Sequence, residues 1–348
     1  MSAHLQQNQQ KVLATGLIGC GHWGPNYLRV FQQLTGTEIL QAADLNPQRR
    51  ESLKSQFSAV EFCENASEIF KNPQIDAVVI ATPATSHFEL VSQALRAGKH
   101  VLCEKPLTLR IEEGQALTQL AAAQAKILMV GHTFLFNTGI RQLKSYLTQN
   151  LLGELYYLHS TRTNLGPIRS DVGAIEDLAS HDISIFNYLL DSLPLEVSAR
   201  AHSCLPHPHE DIAFITLSYP DKIAAHVHVS WLNPVKVRQM TLVGSQKMVT
   251  WDDINTTEPI RIYEAGVMQE PYYQDFGQYQ LLPKQGDTHI PRLQMSEPLK
   301  AEVQEFLNAI HSQTPPFSDG NFGTGVVKVL DAIRASLNAG GSPIQISP

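Results

Sequence analysis

The chain has 348 residues, is 43% hydrophobic and carries a formal net charge of −7. That length and apolar share allow a large core and two domains, while the acidic balance excludes a nucleic-acid partner, which requires a basic face. No apolar run approaches the roughly 20 residues of a bilayer-spanning helix, so no membrane partner is expected, and Cys20, Cys63, Cys103 and Cys204 show no C-x-x-C pair and no metal-ligand spacing, which points to a reducing cytoplasm.

Residues 1–10, MSAHLQQNQQ, are polar without an apolar stretch, so they read as a disordered tail and not as a secretory signal. Residues 12–18 form the first predicted strand and run into Gly19, Gly21 and Gly24, spaced G-x-G-x-x-G. In a dinucleotide-binding turn the first glycine allows the tight turn, the second lets a pyrophosphate approach the backbone, and the third lets the next helix pack on the strand. Pro25 suits the first turn of that helix, where its missing N–H is no loss. Asp44 ends the next apolar run, where an acid accepts hydrogen bonds from the adenosine ribose hydroxyls and repels a 2′-phosphate. It argues for NAD, while Arg49 and Arg50 nearby keep NADP open.

Further strands are predicted at 37–43, 59–63, 75–81, 99–103 and 126–130, with helical patterns between them such as 86–97. This alternation implies crossover connections and a doubly wound parallel sheet, the Rossmann arrangement, over residues 11–131. Such sheets bind ligands beyond the carboxyl ends of their strands. The glycine turn with His22 and Trp23, Asp44, Thr82-Pro83 and Glu104-Lys105 all fall there, and they make up the expected cofactor-binding set.

After residue 131 the pattern changes. A helix is predicted at 137–149, a strand at 154–163 and a helix at 177–190, followed by consecutive β-like runs at 195–203, 211–219, 223–231, 236–243 and 246–251. Strands in succession imply an antiparallel sheet, so residues 132–348 read as a separate α+β domain for substrate binding and oligomerisation. Residues 264–297, rich in Gln, Tyr, Pro and Gly, read as a long surface excursion. Helices at 298–312 and 320–338 close the chain, the second packing back near the domain junction.

Three groups of residues suit catalysis. Lys105, held extended by the following proline, offers an ammonium that stabilises a developing alkoxide. Asp177 and His181, four apart on a predicted helix, are neighbours on one face; an imidazole with an ordinary pKa of about 6.5 suits proton exchange with a substrate hydroxyl. Asp177 would orient it or bind substrate hydroxyls, with Asp182 as the weaker alternative. Arg162 and Arg169 bracket RTNLGPIR in a predicted turn-rich loop, and their forks suit an anionic substrate such as a sugar nucleotide or uronate. His202, His207, His209 and Glu210 lie in a proline-broken connector without regular ligand spacing, so no metal is expected. His226 and His228 read as sheet residues, and His87 as a packing and capping residue in preference to a cofactor-side contact.

Taken together, GLIGCGHWG, ATPATSHFELVSQALRAGKHVLCEKPL and EDLASHDISIFNYLL resemble the Gfo/Idh/MocA oxidoreductases over nearly the whole chain. The resemblance implies a nucleotide-binding domain followed by an open-faced, mostly antiparallel sheet that packs against another subunit, hence a homodimer or homotetramer. It makes Lys105 the lysine beside the reacting carbon, Asp177 the substrate-binding acid and His181 the proton-transferring histidine. It also implies hydride transfer between nicotinamide and a secondary alcohol of a sugar, inositol or nucleotide sugar. The stretches TNLGPIRSDV and HVSWLNPVKVR look most like members acting on a nucleotide-linked amino sugar, or its uronate, at C3. Glu176 departs from the apolar or aromatic residue the resemblance leads one to expect. Two rival readings are a redox-neutral, glycosidase-like enzyme using tightly bound NAD, and a non-catalytic NAD-binding regulator.

Overall fold

The computed structural model describes residues 12–166, 168–169, 172–271 and 279–347. The expected tail at 1–10 lies outside them. The chain divides into two compact units, one running to Gly131 and also taking in Leu299–Thr324, the other comprising His132–Pro298 and the chain from Gly325 onward.

The first unit holds six parallel strands, β1 (Leu13–Ile18), β2 (Thr37–Ala43), β3 (Glu61–Cys63), β4 (Ala77–Ile80), β5 (His100–Glu104) and β6 (Leu128–Gly131), in the order β3-β2-β1-β4-β5-β6. The connecting helices are α1 (Gly24–Gln33), α2 (Pro47–Lys54), α3 (Ala66–Lys71), α4 (His87–Arg96) and α5 (Ile111–Ala123). Every residue of β1, β4, β5 and β6 is buried, as strands covered on both faces must be. Ile80, Val91, Leu95, Val101, Leu117 and Val130 belong to the core on one side. The strand order reverses between β1 and β4, which places a ligand crevice beyond their carboxyl ends.

The second unit contains α6 (Thr138–Thr148), β7 (Leu155–Leu165), α7 (Ser180–Leu190), β8 (Glu196–His202), β9 (Ile212–Ser218), β10 (Ala224–Ser230), β11 (Leu232–Gly244), β12 (Met248–Asp252), β13 (Ile260–Tyr263), β14 (Gly266–Pro271), β15 (Tyr279–Lys284) and β16 (Thr288–His289). The chain closes with α8 (Pro298–Ser312), α9 (Gly320–Asn338) and β17 (Ile344–Gln345). Nine strands form one sheet, β16-β13-β12-β11-β7-β10-β9-β8-β17. Its ladders are antiparallel except where β10 runs parallel to β7. β9 shows why the sheet has two characters: Ala213, Ile215 and Leu217 are buried while Phe214, Thr216 and Ser218 are exposed, the period-2 alternation of a sheet covered on one face. α6 and α7 lie against the sheet. On the side of Phe214, the rings of His159 and His226 stack at 5.5 Å and those of Phe214 and His228 at 4.6 Å, so these histidines are cross-strand neighbours.

Two expectations are corrected. Residues 264–297 are not simply an irregular excursion, because β14 and β15 pair as an antiparallel ribbon and β16 extends the sheet beside β13; prolines and glutamines in the ribbon hide the alternation by which a strand is read. The second domain is not continuous from 132 to 348, because Leu299–Thr324 groups with the first unit, where Ser318 accepts from the Val130 amide at 2.8 Å. Among the described residues no helix is long and apolar enough to cross a membrane, and all four cysteines are free.

Candidate active site

The glycine turn follows directly from β1. Gly19 has φ +97°, and a Cβ there would lie 2.5 Å from the Ala81 carbonyl oxygen; only glycine serves. A Cβ on Gly24 would meet the Gly19 carbonyl oxygen at 2.5 Å, so the third glycine is the price of close strand–helix approach. At Gly21 the nearest neighbour of such a Cβ is the tip of Arg49 at 3.8 Å. The middle position therefore opens on space, as a cradle for a diphosphate requires, and the residues present fit a dinucleotide. Pro25 sits in the first turn of α1, and the exposed rings of His22 and Trp23 meet edge to face beside it, 5.9 Å apart.

Asp44 is fixed from two directions. Its Oδ2 accepts from the Cys20 amide at 2.7 Å and its Oδ1 from the Asn46 amide at 2.8 Å. Asn46 in turn caps α2, accepting from the amides of Gln48 and Arg49. Arg50 donates to the Asp44 carbonyl at 2.5 Å, while Arg49 reaches the carboxylate at 3.6 Å with its side chain 55% exposed. Cys20 is no nucleophile here, since burial, and then the Asp44 and Cys63 charges, push its thiol up to about 12.

Thr82-Pro83 and Lys105-Pro106 are tied by one side chain. The two ring nitrogens of His87 lie 2.8 Å from the Pro106 carbonyl oxygen and 2.9 Å from that of Thr82. Burial lowers the His87 pKa, against the pull of these carbonyls, and the residue clamps the loops after β4 and β5. Glu104 ends β5, buried, with its Oε1 accepting from the Tyr27 hydroxyl at 2.9 Å. Lys105 follows it, half-buried.

In the second unit Asp177 and His181 lie at the start of α7, but the helix enters differently from expectation. Ile175–Ala179 form a π turn before the α-helix begins at Ser180. Asp177 and His181 are thus separated by a wider turn than the regular i, i+4 spacing assumes. Arg169 donates to Asp177 Oδ1 at 3.1 Å and the Trp231 indole to Oδ2 at 3.2 Å, so both carboxylate oxygens are oriented. The His181 ring meets Phe134 edge-on, with centroids 4.8 Å apart.

Arg162 is corrected. It lies not in a loop but within β7, 2% exposed, with Nε and Nη2 donating to the two oxygens of Asp182 at 2.7 and 3.2 Å. Its guanidinium also lies 4.3 Å from the Phe134 ring centroid. Two of the guanidinium nitrogens are thus engaged by a protein carboxylate from within a strand, and are not presented by a loop as expected. Glu176 also has a local cause: its carboxylate accepts from the Gly173 amide at 3.0 Å and from Arg334 of α9 at 2.7 Å.

Sequence reasoning missed Phe134, Trp231 and Asp211. Asp211 is fully buried and gathers the amides of Cys204 and Leu205 with the His207 ring. Burial acts to raise its carboxyl, but these donors prevail and hold it below the usual range. That explains the histidine-rich connector as a folded loop, and among the described residues no group of three or more His, Cys, Asp or Glu could hold a metal ion. The only signal for Asp211 was its place before a strand.

A family model described as "Oxidoreductase family, NAD-binding Rossmann fold" matches residues 13–132, and one described as "GFO/IDH/MocA C-terminal domain" matches residues 140–250. The UDP-N-acetylglucosamine 3-dehydrogenase of Acidithiobacillus ferrooxidans is 27% identical over 330 residues, spanning 94% of this chain and 98% of the relative. A solved structure of a UDP-N-acetylglucosamine 3-dehydrogenase from that organism superposes with a TM-score of 0.80 at 26% identity, covering 94% and 98% of the two chains. The myo-inositol 2-dehydrogenase of Thermotoga maritima is 25% identical, covering 92% of this chain and 95% of the relative.

Proposed function

The chain belongs to the Gfo/Idh/MocA oxidoreductases, and from that premise we propose that it oxidises a secondary alcohol of a nucleotide-linked amino sugar, or its uronate, at C3. The observation that carries the dehydrogenase reading is the glycine cradle, open at Gly21 beside the doubly anchored Asp44, in a chain that also holds Lys105 and the Asp177–His181 pair. The sugar-nucleotide reading is supported by the 27% identity, over 94% of this chain, to an enzyme named for UDP-N-acetylglucosamine.

When bound, NAD supplies the hydride acceptor. The residues that would hold it are Gly19, Gly21, His22, Trp23 and Gly24 of the turn, Asp44 for the adenosine ribose, and Thr82, Pro83, Glu104 and Lys105 at the strand ends. His181 accepts the substrate hydroxyl proton, and the Lys105 ammonium stabilises the negative charge that develops on that oxygen. Asp177, its two oxygens oriented by Arg169 and Trp231, accepts hydrogen bonds from substrate hydroxyls. Arg169, 39% exposed in its ion pair with Asp177, is the more accessible of the two arginines proposed for an anionic substrate. The same reading gives a cytoplasmic homodimer or homotetramer assembled on the sheet face that carries Phe214 and the stacked histidines.

Purified protein given NAD and a panel of UDP- and dTDP-sugars is expected to produce NADH, read by absorbance, with a UDP-amino sugar or its uronate. Cofactor that copurifies, never exchanges and yields no net NADH would overturn the net oxidation in favour of redox-neutral conversion.

NAD is proposed over NADP because a 2′-phosphate at this ribose would face the Asp44 carboxylate. Asp44→Ser is expected to weaken NAD and strengthen NADP, with Arg49 available to pair the phosphate. The ratio of kcat/KM for the two cofactors should swing by at least about tenfold, the effect of roughly 1.4 kcal/mol. An unchanged ratio would remove Asp44 from the role.

A further inference from the structure

Glu302 lies on α8, far along the chain, yet it is fully buried in the first unit. Its Oε1 is 3.1 Å from the Tyr27 hydroxyl of α1, and the same hydroxyl is 2.9 Å from Oε1 of Glu104. Tyr27 and Glu302 are 0% exposed and Glu104 6%.

A phenol has one hydrogen to donate, while its oxygen can accept another; an ionised carboxylate only accepts. Both contacts are hydrogen bonds only when one of the two carboxyls carries a proton and donates it to the phenol oxygen. Two like charges brought this near a shared partner and away from water disfavour joint ionisation. A phenolate is no alternative, because burial, then the two carboxyls, raise the Tyr27 hydroxyl well above its ordinary range.

Oε2 of Glu104 faces the Lys105 backbone N–H at 3.2 Å, and a donor of that kind favours the ionised form. Glu104 also makes the shorter of the two phenol contacts, as a charged acceptor should.

We propose that Glu302 is the neutral acid of this group: it donates to Tyr27, Tyr27 donates to the Glu104 carboxylate, and Glu302 thereby acts as a positioning residue for the Glu104-Lys105 segment. The positioning role rests on the dehydrogenase reading; the proton assignment does not. α8 thus supplies more than apolar packing to the first unit, because its carboxyl fixes which way the acid before Lys105 accepts.

The infrared spectrum of the full-length protein in D2O at neutral pH tests the assignment. Exposed carboxyls are ionised there, so the carbonyl stretch of a protonated carboxylic acid reports a buried one. Wild type is expected to show that band and Glu302→Gln to lose it. Tyr27→Phe should keep the band but shift it to higher frequency, since the acid loses its acceptor. The amide of Glu302→Gln can still donate to Tyr27, so its NAD affinity, measured by titration without substrate, should stay within about threefold of wild type, as RT ln 3 is well under 1 kcal/mol. Glu302→Ala should weaken NAD at least about tenfold.

No acid band in wild type, or a band that persists unchanged in Glu302→Gln, would overturn the assignment. So would a Glu302→Gln protein that binds NAD as poorly as Glu302→Ala. Should Glu302→Gln fail to fold, the wild-type and Tyr27→Phe spectra still decide whether a buried acid is held by Tyr27, and Glu302→Ala, in which the band should be lost, takes its place in naming that acid. Failure to turn over any sugar, with these bands as expected, would sink the dehydrogenase reading and leave the proton where it is placed here.

Discussion

Replacing His181 by asparagine is expected to lower turnover by about 10²–10⁴-fold, the range of one positioned acid–base group, with NAD affinity nearly unchanged. The amide of asparagine keeps a polar side chain at the start of α7 but has no nitrogen that titrates near neutrality. The edge contact of the imidazole with Phe134, 4.8 Å between centroids, orients the ring and is lost with it. NAD affinity is spared because the glycine turn and Asp44, the residues proposed for the diphosphate and the adenosine ribose, are untouched. Lys105→Met should fall within the same range of turnover, through loss of the cation that stabilises the alkoxide. Steady-state rates of the two purified variants, together with NAD titrations, provide the check. Rates near those of wild type would reject the assignment.

The largest expected effect on stability is at Asp182. Its carboxylate and the Arg162 guanidinium are 3% and 2% exposed and joined by two hydrogen bonds. Asp182→Ala leaves the Arg162 charge buried without its partner, and breaking a pair in this way costs about 3–5 kcal/mol. The Phe134 ring face 4.3 Å from the guanidinium is present in both proteins and does not replace the lost carboxylate. Removing both charges together, as Arg162→Met with Asp182→Leu, should recover most of the loss, because the double replacement leaves no orphaned ion. Urea unfolding midpoints of the single and double variants separate the two outcomes. A single variant within 1 kcal/mol of wild type, roughly the worth of a surface pair, would show that the pair is not desolvated as described.

What the sequence disclosed was local. Gly19, Gly21 and Gly24 act within one turn, and the apolar runs of β1, β4, β5 and β6 record two-sided burial residue by residue, so the first sheet was legible with its strand ends. The succession of β-like runs from 195 to 251, without helices between them, announced the second sheet equally well. Arg162 was misread because TNLGP after it carries turn formers, whereas β7 is held extended by β10 as far as Thr163 and by β11 as far as Leu165. Nothing near Arg162 in the chain names those partners. The π turn at Ile175–Ala179 was hidden for a different reason: helical periodicity does not record a single widened turn. Tyr27, Glu104 and Glu302 come together from three distant stretches, and the interest of each lies only in the other two. Residues 264–297 illustrate a further limit, since pairing in β14 and β15 is a backbone matter that Pro and Gln side chains conceal.

The return of Leu299–Thr324 to the first unit has a consequence for biogenesis. At about 5–20 residues per second, a ribosome finishes β6 roughly ten to forty seconds before it has made the segment that joins it. During that interval Leu128 and Val130, which neighbour Gly320 and Gly323 in the finished protein, wait for their covering helix. The nascent sheet is therefore an unfinished body for much of its synthesis, exposed to chaperones and proteases, and a chain truncated before Leu299 would keep it so permanently.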